Sequence, residues 1–192
     1  SKCYQSGPLS FEYFLDGVKV ISNSGFGNNI SNKGELLSRL TACQSTLTLN
    51  DTSVSKFERN RLINKVFGNS IKNSFKTYNL NTNSEKNIIS CSAEHNGYEQ
   101  KFSCIHRREI FLDKDNNYIK GSDHILKKKD GLPIRYVFRF HVNPELTIVK
   151  TMGGNSALIQ VSKNKSLIFT ITDEILEIEK SIYLGGKKIL DN

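Results

Sequence analysis

The sequence contains no C-x-x-C pair. Its four cysteines, Cys3, Cys43, Cys91 and Cys104, are spread singly, which excludes a zinc ribbon or a thioredoxin-type redox motif. Cys91 and Cys104 fall in adjacent expected strands and can face each other, although free buried thiols are the favoured state in a domain of this size. No apolar run is long enough to span a membrane, and the first residues carry no signal-peptide pattern, so any signal would lie upstream. Long stretches with helical periodicity are missing, as is any internal repeat. There is no Ser-His-Asp arrangement and no Gly-rich phosphate loop; Gly153-Gly154 alone marks a turn. Zinc-finger, helix-turn-helix and aromatic-and-basic RNA patterns are absent too, which argues against nucleic acid as a partner.

What the chain has is positive charge. Lys and Arg number 27 against 19 Asp and Glu, a formal charge of +8. That balance favours polyanionic partners: acidic polysaccharide, nucleic acid or anionic lipid. The alternative is a basic surface that serves solubility alone. At 192 residues the chain is long enough for one β domain with a sizeable core, and residues 1–192 are read as a single domain.

The chain is also rich in short alternating segments. Leu9, Phe11, Tyr13 and Leu15 alternate with Ser10, Glu12 and Phe14. Asp16-Gly17 then supplies a tight hairpin turn, because a primed turn needs positive φ. Val18, Val20 and Ser22 continue in the return strand, and Gly25 ends it. One helical turn is expected over 35–40 and a strand over 45–49. The Asn- and Lys-rich stretch 57–86 reads as an irregular excursion with at most one short strand. Strands over 87–93, 102–112 and 118–126 form a meander of at least three. Asp113, Asp115 and Asn117 have the spacing of a calcium loop, but no Gly or closing Glu follows, so a hairpin turn is expected. The clearest strand is 134–142, with Ile134, Tyr136, Phe138, Phe140 and Val142 on one face. Shorter strands follow over 147–150, 157–162, 166–170 and 176–183. Many short strands, polar turns and few prolines predict an all-β antiparallel sandwich with at most one short helix.

Several landmarks, in order along nearly the whole chain, carry a family resemblance. They are Leu9-Ser10-Phe11-Glu12, Val20-Ile21-Ser22-Asn23-Ser24-Gly25, Gln44-Ser45-Thr46, Glu94-His95-Asn96-Gly97-Tyr98, the strand from Ile105 to Leu112, Arg139-Phe140-His141-Val142, and Tyr183-Leu184-Gly185-Gly186. Together they resemble the C-terminal β-sandwich of the heparinase II/III family of polysaccharide lyases, a lyase supersandwich. The resemblance implies β-eliminative cleavage of an acidic, uronate-containing polysaccharide as the ancestral reaction. It also implies a helical toroid upstream that supplies much of the catalytic set, and a periplasmic or cell-envelope location. The chain starts at Ser1 and runs straight into a strand, so an excised domain, inactive by itself, is expected.

The departures from the family pattern fall at its chemistry. The position of the catalytic His is Cys3. The three positions associated with a structural zinc are Gln5, Asn23 and Gln44, neutral amides where zinc prefers thiolate, imidazole or carboxylate. No zinc and no other cofactor is therefore expected. The three amides are expected close together, joined by hydrogen bonds or a water. The candidates left for chemistry are His95 and Tyr98 at the corner, since the elimination that the resemblance implies needs a base, commonly Tyr or His, and an acid for the leaving oxygen. Arg107 and Arg108 in the next strand are candidate carboxylate binders. The competing reading has the Tyr98 ring packed under the corner and the arginines in ordinary ion pairs with Glu94, Glu99 or Glu109. His106 has no partner that the sequence identifies. The alternative function is a non-catalytic glycan-binding or structural module that has lost the metal and the catalytic His.

Overall fold

The computed structural model describes residues 5–27, 30–58, 60–68, 70–73, 75–128, 134–185 and 190–191; Cys3 and Gly186 lie outside them. The fold is all-β, with 45% of the chain in strands, mostly antiparallel, and 11% in helix, as an antiparallel sandwich requires. In chain order the elements are β1 (Tyr13–Leu15), β2 (Val18–Ser22), α1 (Asn32–Ser38), β3 (Leu47–Leu49), α2 (Arg61–Phe67), β4 (Thr77–Glu85) and β5 (Ile88–His95). They continue with α3 (Glu99–Phe102), β6 (Cys104–Asp113), β7 (Tyr118–Lys127), β8 (Tyr136–Phe138), β9 (His141–Val142) and β10 (Thr147–Lys150). The last four are β11 (Ser156–Ser162), β12 (Lys165–Thr170), β13 (Ile182–Tyr183) and β14 (Leu190–Asp191). They group into two compact units. The first comprises Ser1–Ser10, Leu40–Ala42 and Thr46–Arg139; the second comprises Phe11–Arg39, Cys43–Ser45 and Phe140–Asn192.

In the second unit, β1 and β2 form the hairpin expected around Asp16-Gly17. Leu15 pairs with Val18, and both turn residues have positive φ. β2 also pairs with β9, and β10, β11 and β12 form a separate antiparallel sheet. β11 shows why alternation builds a core: Ala157, Ile159 and Val161 point inward while Leu158 is exposed. Val20, Ile159 and Val161 form the buried cluster, with Tyr13, Leu15, Val142 and Phe169 packed against it. Each such aliphatic side chain stabilises the fold by about 1.5–3 kcal/mol.

The first unit is built on one four-stranded meander in the order β4-β5-β6-β7. Beside it β3 pairs with β8. Leu47, Leu49, Val54, Tyr98 and Cys104 form its buried cluster, with Phe75, Phe102 and Phe138 against them. The β6–β7 turn is closed by Asp113, whose Oδ1 accepts the N–H groups of Asp115 and Asn116. It is the hairpin turn the sequence indicated.

Four expectations need correction. Among the described residues there are three short α-helices rather than at most one. Capping, not an apolar stripe, makes the first two: Ser31 accepts the Gly34 N–H, and Asn60 Oδ1 accepts from Leu62 and Ile63. Leu62 itself is 75% exposed, so periodicity had nothing to reveal. The 57–86 excursion holds α2 and the nine-residue β4, a mostly exposed edge strand formed by its ladder to β5. Polar residues are what an edge strand tolerates, and they hide it from pattern reading. The strand expected over 134–142 is split: β8 pairs with β3 and β9 pairs with β2, while between them the Arg139 N–H donates to Thr46 O. Of the strand expected over 176–183, only Ile182–Tyr183 forms. Ile178 is exposed there and Asp173 has positive φ, so the alternation meets no packing face. The described cysteines, Cys43, Cys91 and Cys104, are free thiols.

Candidate functional site

The site is built on the antiparallel register of β5, β6 and β7. His95 lies opposite His106, Ala93 opposite Arg108, and Arg108 opposite Asp123. Because strand side chains alternate, His95, His106, Arg108 and Asp123 share one face of the sheet and Arg107 takes the other. The shared face is the inner one: His95 and His106 have no exposed surface, and Arg108 is 4% exposed.

These side chains form one hydrogen-bonded line. The Gly97 N–H donates to His95 Nδ1 at 3.1 Å, so the proton of the neutral His95 ring sits on Nε2. Nε2 donates to His106 Nδ1 at 3.1 Å. His106 Nε2 in turn donates to Asp123 Oδ1 at 2.7 Å. Arg108 closes the line with a two-pronged contact, Nε to Oδ1 at 2.7 Å and a terminal nitrogen to Oδ2 at 3.0 Å. Its other terminal nitrogen donates to Leu9 O at 2.9 Å. One backbone donor therefore fixes the tautomers of two imidazoles in series.

The electrostatics follow from burial. Loss of water pushes the His95 pKa down to about 3, helped by His106 and the Arg108 charge. Burial also lowers His106, against the opposing pull of Asp123. Burial works to raise Asp123, but its hydrogen bonds to His106 and Arg108 prevail and hold the carboxyl below its ordinary value. The line thus carries one ion pair, Asp123 with Arg108, and two neutral rings. Chemically it is a rigid, oriented hydrogen-bond relay.

Tyr98 is sealed in the same region. It is 1% exposed, its hydroxyl donates to Leu47 O at 2.8 Å, and burial pushes its pKa up. Its ring lies 5.7 Å from that of His95. Gly97 makes the corner possible: a Cβ there would come within 2.2 Å of Val54 Cγ1.

The structure thus brings His95, Tyr98 and Arg108 into one interior region and leaves Arg107 outside. Arg107 is 43% exposed and pairs with Glu109 at 2.5 Å, on the face shared with Glu94 and His124. His106 and Asp123 are the members that sequence reasoning missed. The signal was present: His106 and Arg108 are two apart in a strand, and strict alternation puts them on one face.

The amide positions Asn23 and Gln44 make backbone contacts. Asn23 Oδ1 accepts the Ser45 N–H at 2.8 Å. Gln44 is buried, and its Nε2 donates to Ser38 O at 2.8 Å. Each side chain bonds the backbone rather than the other amide, and Gln44 Oε1 is left buried without a hydrogen-bond partner; a neutral amide offers zinc neither charge nor softness. Gln5 is a third amide, partly buried. The residues present do not fit the zinc that the resemblance implies.

An antiparallel all-β chain with a polar relay inside its largest sheet is the class of protein defined here. A family model described as Heparinase II/III-like, C-terminal, matches residues 2–191, essentially the whole chain. The chain belongs to that family, which makes it a polysaccharide lyase-related domain. No curated protein and no solved structure matches it. Among the described residues, no helix is long and apolar enough to cross a membrane.

Proposed function

We propose that this domain binds acidic polysaccharide within a longer lyase-like protein and does not itself supply the catalytic base. The ancestral reaction is β-elimination at a uronate, and the remaining catalytic groups belong to an upstream helical domain. One observation carries the reading. The chain matches the family over residues 2–191, yet the two candidate groups at the corner, His95 and Tyr98, are 0% and 1% exposed. A general base must reach the proton it removes, and these two groups reach only protein.

On this reading His95, Tyr98 and Arg108 hold the sheet in shape, and Arg107 faces solvent with the glycan-binding groups. The formal charge of +8 supports a polyanion as ligand. The test is retention of the chain in gels containing heparin, alginate or neutral dextran, at low and high salt. Retardation by the two acidic polymers, fading with salt as exposed charges are screened, is the expected result. Equal retardation by dextran overturns the acidic specificity, and no retardation by any polymer overturns the binding role.

A further inference from the structure

The outer face of the β4–β7 sheet is built differently from the inner one. Register sets Asn83, Ser90, Phe111 and Lys120 in one row across all four strands. The next row on the same face includes Ser92, Glu109 and Ser122. These rows line an open groove of about 510 Å³, within the roughly 300–1,000 Å³ of small-ligand sites.

Three features of the groove point to a ligand. First, it has an aromatic floor. Phe111 and Tyr118 sit with ring centroids 5.8 Å apart and planes only 34° from parallel, and Tyr118 is 44% exposed. Second, it has hydroxyls to spare: among the described residues, those of Ser90, Ser92 and Ser122 have no hydrogen-bond partner. Third, its charge is unbalanced. Glu109 is paired by Arg107, whereas Lys120 forms no ion pair with any described residue.

From this geometry we infer that the groove is a saccharide subsite for an acidic sugar unit. The C–H face of a pyranose ring rests on Phe111 and Tyr118, its hydroxyls meet the serines and Asn83, and its carboxylate or sulfate meets Lys120. Aromatic rings bury apolar area at little entropic cost, and hydroxyl-rich ligands need many short polar partners. A single-stranded polynucleotide also stacks on rings, but it needs a line of cations to follow its phosphates. One unpaired lysine favours the sugar. The inference rests on the acidic-glycan reading and gives that binding a place on the sheet.

The experiment is calorimetric titration of the full chain with a heparin-derived hexasaccharide and with its desulfated, carboxyl-reduced neutral form. Tyr118→Ala is expected to weaken both about fivefold to tenfold. Lys120→Gln is expected to weaken only the acidic form, by about fivefold. Both side chains are exposed, so melting temperatures should match the wild type and exclude misfolding as the cause. If the wild type binds and both variants bind equally well, the groove is overturned and the broader reading stands. If the wild type binds neither sugar, both fall. Preferential binding of oligo(dT), or a dimer that Tyr118→Ala abolishes, assigns the face to another occupant and also overturns the inference.

Discussion

His95 and His106 face each other across β5 and β6, with Nε2 of the first 3.1 Å from Nδ1 of the second. The contact works only when both rings are neutral, since a proton on His106 Nδ1 would set two donors against each other. The arrangement depends on the Gly97 N–H holding His95 in one tautomer.

The first prediction concerns acid. His95 has a folded pKa of about 3 against an ordinary 6.5. The unfolded chain therefore takes up a proton in this window that the folded chain refuses, so stability is full above 6.5 and falls as pH drops toward 3. His106, also lowered, acts in the same direction. Asp123, held below its ordinary value, adds stability that is lost as pH falls through its folded pKa. Denaturant melts across this range should show falling stability, with a shallower slope in His95→Gln. A flat profile in the wild type would contradict the neutral relay.

Neighbouring arginines should behave oppositely. Asp123→Ala leaves the Arg108 guanidinium buried without its carboxylate, and loss of one partner of a buried pair costs about 3–5 kcal/mol. Arg107→Ala removes a pair in which both side chains are 43% exposed and should change stability by less than about 1 kcal/mol. Urea unfolding of the two variants measures the contrast; equal effects would count against the burial described.

Tyr98→Phe deletes the hydroxyl that donates to Leu47 O and leaves a buried carbonyl without that donor. A loss of about 1–2 kcal/mol in stability is expected, with acidic-glycan affinity unchanged. The opposite pattern, intact melting and lost affinity, would return Tyr98 to the ligand-facing role its position in the sequence suggested.

Gly97→Ala should also destabilise, by about 1–3 kcal/mol, because the new methyl meets Val54 Cγ1. Val54→Ala in the same chain should recover part of that loss if the clash is its cause. Failure of the double variant to recover any stability would point to the backbone instead.

Zinc should not be retained. Dialysis against zinc followed by elemental analysis is expected to give far less than one metal per chain, since Asn23 and Gln44 are neutral amides and Asn23 Oδ1 already accepts the Ser45 N–H. Stoichiometric zinc lost on Asn23→Ala would reverse that conclusion.

Local chemistry was enough to determine part of this protein. Asp16-Gly17 fixed a hairpin because positive φ is needed there, and the strands expected over 102–112 and 157–162 correspond to β6 and β11. The ordered landmarks from Leu9 to Tyr183 were enough to place the chain in its family. Tertiary structure decided the rest, because strand pairing is a relation between distant residues. It divided 134–142 between two partners and gave the polar stretch 77–85 a ladder to join. The same register set His106 against His95 and Arg108 against Asp123. Alternation alone sets Arg107 and Arg108 on opposite faces; the fold decided that the Arg108 face is the covered one. A sequence states which residue types are available; which of them lose water, and so change their protonation, depends on what the fold lays over them.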